Sequence, residues 1–402
     1  MNATRLVPLF LLLSIAVPAV VSGVANAAAS DHLSLDLRYR YEFVDEARLT
    51  DRAHASTLRT RLSWMSEEIE GWSAILELDD VTPIGNDLYD STANGETARP
   101  VVADPEGTEV NRAMLRYRGI AASEAAIGRA RINLDNQRFI SGVGWRQNEQ
   151  TFDSFSLATQ RLADTRLFYA YIANVNRVFG PEDGTQLGDW RSDSHIVHAA
   201  WSGWRNHELT GYVYLLDLEQ AETFSNRTTG LRMTGRRSRG TDLHFGYAVE
   251  YARQADYAGN PDDYSAGYRL VELTVARQQI KATAGLEILD GDSTNPAERF
   301  VTPLATPHAF QGWADKFAVT PSAGVEDSYF GISYSMRYVD LALVYHRFEA
   351  QAGGSRYGDE WDFSLSRKFA KRYDVLVKFA RYDADNFSTD TRKAWLMLSA
   401  GF

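Results

Sequence analysis

The stretch Lys393-Ala394-Trp395-Leu396-Met397-Leu398-Ser399-Ala400-Gly401-Phe402 reads with a period of two. Counting back from Phe402, Ala400, Leu398, Leu396 and Ala394 are all apolar. Successive side chains of a strand point to opposite faces, so this alternation predicts a β-strand with one continuous apolar face. The same design opens the chain at Leu35-Asp36-Leu37-Arg38-Tyr39-Arg40-Tyr41-Glu42-Phe43, where every charge falls on one face and every apolar side chain on the other. It returns at Thr57–Trp64, at Leu243–Tyr251 and at Trp361–Ser366.

Working outward from these stretches, alternation predicts strands over 32–43, 55–65, 71–79, 110–118, 124–134, 152–159, 164–177, 193–202 and 206–218. It predicts others over 226–234, 241–254, 265–276, 279–289, 328–337, 339–349, 358–369, 372–383 and 391–402. That makes about eighteen in all, with no helical period between them. Their connections alternate between short (67–70, 119–123, 161–163, 202–205) and long (80–109, 178–192, 290–327). A soluble sandwich gives no reason for that rhythm, whereas an outer-membrane barrel has short periplasmic turns and long extracellular loops. Trp64, Trp72, Tyr117, Trp201, Tyr247, Trp361 and Tyr373 lie towards strand ends, where interfacial girdles belong. The expected fold is therefore all-β: a transmembrane antiparallel barrel of about eighteen strands, wide enough to leave an aqueous channel.

Composition agrees. The 402 residues carry no cysteine, 44% hydrophobic and 12% aromatic side chains, and a formal charge of −11. Such a chain is too apolar to be disordered, too acidic for a nucleic-acid binder, and without thiolate chemistry. Residues 1–27 read as a secretory signal: Arg5, an apolar run from Leu6 to Val24, and the small-residue cleavage site Ala25-Asn26-Ala27. The barrel is then expected over 28–402, with a mature charge of −12 once Arg5 is removed. Phe402, preceded by its alternating strand, resembles the terminal signal read by the outer-membrane assembly machinery.

The polar faces carry the functional reading. Of the 42 basic residues only six are lysine, and the other 36 are arginine. On the first five strands the face expected to line the lumen holds Arg38, Arg40, Arg59, Arg61, Arg112, Arg116, Arg118, Arg129 and Arg131. Against these nine stand four acids, Asp36, Glu42, Glu77 and Asp79. Guanidinium grips carboxylate through a planar fork, so an unpaired excess favours an anionic solute. Ordinary porins also pair such arginines with lumen acids to hold the wall. The long connection at 79–110 is the opposite, with eight acids against Arg99 alone. It reads either as a solvated surface facing lipopolysaccharide or as a lid that repels anions.

Two further stretches bring a resemblance. Gly128-Arg129-Ala130-Arg131-Ile132-Asn133-Leu134-Asp135-Asn136-Gln137-Arg138-Phe139 leads into Gly144-Trp145-Arg146-Gln147-Asn148-Glu149-Gln150-Thr151-Phe152-Asp153, and Thr302–Phe317 follows much later. Together they resemble the alginate export porin family, whose eighteen-stranded barrels carry an acidic polysaccharide across the outer membrane of Gram-negative bacteria. The resemblance implies an electropositive pore, with Arg138, Arg146 and Asp153 in or beside an inward connection, and Asp315 and Lys316 in a second long loop. Arg146 and Asp153 could equally form an ion pair that fixes the first loop.

Enzyme readings find no support. No G-x-S-x-G occurs, Ser194 and His195 point to opposite strand faces, and His195 and His198 cannot converge on a metal. Gly142 and Gly144 make a weak phosphate-loop match, and Asp262-Asp263 sits in a turn. The expected function is an outer-membrane channel for an anionic oligo- or polysaccharide, needing no cofactor, with periplasmic export components as further partners. A less selective porin for small organic anions and a non-conducting adhesin or structural barrel are the alternatives.

Overall fold

The computed structural model describes residues 32–402, so the expected signal segment lies outside the described residues. Eighteen strands run in order: β1 (Leu33–Glu46), β2 (Ala53–Met65), β3 (Trp72–Pro83), β4 (Gly107–Tyr117), β5 (Ser123–Ala130), β6 (Thr151–Leu162), β7 (Thr165–Asn176), β8 (Asp189–Trp201) and β9 (His207–Leu216). They continue as β10 (Asn226–Arg239), β11 (Leu243–Asp256), β12 (Ser265–Arg277), β13 (Ile280–Leu289), β14 (Val325–Ser335), β15 (Asp340–Glu349), β16 (Arg356–Phe369), β17 (Tyr373–Ala384) and β18 (Thr391–Gly401). Each strand pairs antiparallel with its sequence neighbour, and β1 pairs with β18 from Asp36↔Gly401 to Glu46↔Thr391. The sheet is thus a closed ring with no free edge, as a spanning β-structure requires.

Exposure runs opposite to that of a soluble protein. Leu231, Leu273 and Ile127 are 61%, 58% and 57% exposed, while Glu42, Asp362 and Arg40 are at 1% or below. The alternation therefore turns its apolar face outwards to lipid and its charged face into the lumen. Phe402 continues the seam, its backbone exchanging hydrogen bonds with Leu35 at 2.9 and 3.0 Å, and its ring meets Tyr373 edge-on.

The strand boundaries expected from sequence hold within a few residues, with one consequential difference. β5 stops at Ala130 rather than running to Leu134. From Arg131 to Gln150 the chain leaves the wall and folds into the barrel, where only Gly144 is exposed. The connection 290–324, with a short helical turn at Pro307–Ala309, folds in beside it. Phe139 from the first loop packs on Tyr212, Tyr268 and Phe300 with ring centres 5.2–5.8 Å apart. Phe317 from the second packs on Phe348, Tyr357 and Tyr382 at 4.4–6.0 Å. Each such pair adds about 0.5–1.5 kcal/mol beyond its buried area. The long-loop half of the lumen therefore holds a packed aromatic interior.

Chain accessibility follows from this packing. Residues 93–98 and 293–296 are exposed at the long-loop end, and 131–150 is almost wholly covered. A protease added to intact cells is expected to cut the two exposed stretches and spare 131–150. Peptide mapping that found cuts in the short turn at 66–71 instead would reverse the orientation.

Candidate functional site

The inward loops are held by charge as well as by aromatic packing. Glu149, at the foot of the first loop, accepts from Arg61 Nη1 at 2.8 Å and from Arg131, with Arg59 at 4.0 Å. Burial alone would raise its carboxyl, but the guanidiniums of Arg131, Arg61 and Arg59 override this and hold it far below the usual carboxylate range. Arg38 donates to Gln147 Oε1 and to the Gly144 carbonyl, both at 2.9 Å, and to the Arg146 carbonyl. Arg40 lies 4.4 Å over the Trp145 ring, donates to Glu42 at 2.7 Å and approaches Asp104 at 3.2 Å.

The second loop is tied to the opposite wall. Asp315 meets Lys393 Nζ at 2.7 Å, His308 Nδ1 at 2.9 Å and Arg146 at 3.7 Å. Burial would raise the Asp315 carboxyl, and the Lys393 ammonium foremost holds it well below its ordinary range. His308 stacks on Trp145 at 4.0 Å, and its Nε2 lies 2.7 Å from Lys378 Nζ. Burial first, then the Lys378 ammonium, lowers this imidazole to about 3. It is therefore neutral, with Nδ1–H donating to Asp315 and Nε2 accepting from Lys378. The backbone N–H groups of Trp313 and Ala314 donate to Asp362 at 3.1 Å and Glu360 at 2.6 Å. Gly312, with φ +79°, permits this approach, since a Cβ there would overlap the Glu360 carboxylate. The two loops also join each other: Ser141 N–H donates to Leu304 O at 2.9 Å, and Thr306 N–H to Gln137 O at 3.2 Å.

At the short-turn end lies an open cavity of about 1970 Å³. Its walls carry ten basic residues, among them Arg112, Arg116, Arg118 and Arg131, against five acidic ones, so the local balance is positive although the chain is acidic.

The residues nominated from sequence separate into groups. Arg38, Arg40, Arg59 and Arg61 are buried among the loops, and Arg112, Arg116, Arg118 and Arg131 face the cavity. Arg129 does not face the lumen: it pairs with Asp153 at 2.8 Å, in register with exposed Ile127 and Phe155. Its neighbours Ala130 and Phe152 are buried inside, so strand parity turns Arg129 outwards, and Arg131 reaches the lumen only because the strand has ended. Arg146 and Asp153 form no ion pair with each other, because Arg146 instead meets Glu42 at 3.3 Å. Arg138 is bound to Glu287 at 2.7 Å, and Lys316 to Glu46.

Nor is the β1–β5 arc left with an unpaired positive excess. Arg59 meets Asp36, Arg61 meets Asp79, Arg112 meets Glu77 at 2.6 Å and Arg118 meets Glu124 at 2.6 Å. Acids outside the four counted, namely Asp104, Glu124, Glu149 and Asp153, supply further partners, while Arg38 is held by Gln147 and loop carbonyls rather than by an acid. Glu149, Trp145 and His308 stand inside the quoted motifs, yet nothing in their spacing marks them as loop anchors.

Comparison with known proteins places this barrel. Among solved structures it is similar to OccAB2 of Acinetobacter baumannii, with a TM-score of 0.73 and 14% identity over 92% of this chain and 98% of that one. It is likewise similar to the outer membrane protein OpdK of Pseudomonas aeruginosa, with a TM-score of 0.69 and 17% identity over 92% and 98%. No curated protein sequence matches the chain. A family model described as alginate export matches residues 31–276, more than half of the length. With its ring of eighteen strands and its lumen of charged side chains, this outer-membrane barrel belongs to the alginate export family.

Proposed function

We propose that the barrel passes an anionic, uronate-type polysaccharide or its oligomers across the outer membrane. The observation that carries this reading is the basic cavity at the periplasmic end, with its two-to-one excess of basic over acidic side chains. External loops are acidic, but at physiological salt their charges are screened beyond about 8 Å. The guanidiniums along the path therefore dominate what an ion meets inside. The route needs no catalytic group and no cofactor; its partners are the polyanion, outer-membrane lipid with lipopolysaccharide, and the machinery that inserts the barrel.

The test is a reversal potential across a planar bilayer under a salt gradient, where the channel is expected to select anions. A unit charge about 6 Å from a passing ion in bulk-like water contributes about 0.7 kcal/mol, or about threefold in permeability. Replacing Arg112 and Arg118 with Gln removes two positive charges from the cavity wall and should move the potential towards cation selectivity by at least that factor. Cation selectivity in the unaltered protein would remove this reading. A second reading, a porin for small organic anions, is favoured by the loops that fill the outer half of the lumen. A related OpdK structure carries vanillate, an aromatic carboxylate. Liposome swelling separates the two: uptake of monomeric carboxylates with exclusion of oligouronates favours the porin.

A further inference from the structure

Within the cavity, the arginines without any carboxylate partner lie away from the arc that charge counting along the chain picks out. Among the described residues, Arg205 in the β8–β9 turn and Arg236 on β10 have no ion pair or side-chain hydrogen bond, and both line the periplasmic cavity. Arg166, at the start of β7, reaches Glu208 only at 4.0 Å. Arg116, near the end of β4, donates to Ser73 Oγ at 3.1 Å and stands 4.0 Å from Glu124. These four guanidiniums all sit at the short-turn end of their strands and line the same cavity. Its acids are largely engaged elsewhere: Glu124 holds Arg118 at 2.6 Å, Asp135 holds His198 at 3.0 Å and Glu272 accepts from Tyr329 at 2.7 Å.

We infer that this periplasmic mouth is a docking site for an acidic oligosaccharide segment bearing carboxylates on successive sugars. The spread of the cluster sets the ligand. Arg205 and Arg236 are neighbours, but the six strand intervals from Arg116 on β4 to Arg236 on β10, at about 4.8 Å each, span on the order of 30 Å of wall, too far for one carboxylate to bridge. A chain with repeated carboxylates meets several at once, and each contact after the first forms at high effective concentration. Unpaired arginine gives up no internal partner when it binds, so the charge-assisted bonds to the ligand are net gains. The site then acts ahead of the loops, loading a polyanion at the periplasmic side while the outer half is still packed. This inference rests on the polyanion reading but does not require conduction.

The experiment measures binding by calorimetry with the folded full-length protein in detergent, using a hexameric oligouronate, the monomeric uronic acid and neutral maltohexaose as probes. Arg205→Gln with Arg236→Gln is the test variant; both positions are exposed and unpaired, and retention of the heat-modifiable folded form on gels checks the barrel. The hexamer is expected to bind far more tightly than the monomer, maltohexaose not at all, and the double variant to lose about tenfold or more in affinity, as expected for charge-assisted contacts. High salt should weaken binding in the same direction. Equal hexamer affinity in the double variant and the parent overturns the site, as does equal binding of the neutral sugar. A barrel that binds hexamer through these arginines yet selects cations rejects the transport reading and leaves the mouth site standing. An anion-selective barrel without arginine-dependent hexamer binding does the reverse.

Discussion

Glu149→Gln is expected to release the 131–150 loop from the wall and raise single-channel conductance. The carboxylate sits between Arg61, Arg131 and Arg59, and Asn111 Nδ2 donates to it at 3.3 Å. Gln keeps the size and removes the charge, so Arg61, Arg59 and Arg131 fall back on Asp79, Asp36 and Glu77 and the acid that gathers them at the foot of the loop is gone. Breaking one side of a buried ion network costs about 3–5 kcal/mol. Docking of this loop competes with an aqueous alternative in which the same arginines are solvated, so the loss falls on the docked state. Conductance should rise, and protease should begin to cut within 131–150 in intact cells. Unchanged conductance together with continued protection would show that the Arg38 contacts to the Gly144 and Arg146 carbonyls, with the Phe139 packing, hold the loop without Glu149.

Acid is expected to loosen the second loop, beginning with His308. Its ring is held neutral down to about 3 by burial and by the Lys378 ammonium, with Asp315 and, further off, Arg146 facing the same pocket. Undocked, the ring takes up a proton near its ordinary value of about 6.5. Between those values the undocked loop binds a proton that the docked loop refuses. The contribution of this imidazole to docking is therefore largest above about 6.5 and falls by about 1.4 kcal/mol for each pH unit below it. The depressed carboxyls of Asp315 and Glu149 act in the same direction but only below the ordinary carboxylate range. Conductance and cleavage within 300–317 should thus climb between pH 7 and pH 5, and His308→Gln should flatten that climb. A pH-independent parent over this window would show that the imidazole does not report on docking.

The wall was legible in the sequence because lipid on one side and water on the other force a period of two that nothing local can imitate. Even the narrow β6–β7 and β12–β13 turns fall where alternation resets. The interior was not legible in the same way. Arg129 and Arg131 share a parity on paper, but the strand ends between them at Ala130, so one faces out and the other in. Gly128, with φ +119° and no room for a Cβ beside the Ala113 carbonyl, marks the irregular end of that strand. Charge counting on one arc failed for a related reason. Asp104 and Glu149 lie on loops, and their pairing with Arg40 and Arg61 exists only once those loops turn inwards. Loop residues carry no periodicity, so the partners of a lumen arginine follow from three-dimensional closure alone.

The seam between β1 and β18 has a consequence for how the molecule comes into being. Seventeen of the neighbour pairings join strands consecutive in the chain, but this one joins Asp36 to Gly401. Every other pairing can form as a local hairpin, β1 with β2 included, whereas β1 and β18 can meet only once almost the whole polypeptide is present. Until then both terminal strands present a row of unsatisfied N–H and C=O groups, each costing several kcal/mol in hydrocarbon. An open, half-zipped sheet therefore has no stable place in the bilayer by itself. Insertion and closure have to coincide, or the two edges must be lent a temporary strand by another protein until Glu46 and Thr391 meet.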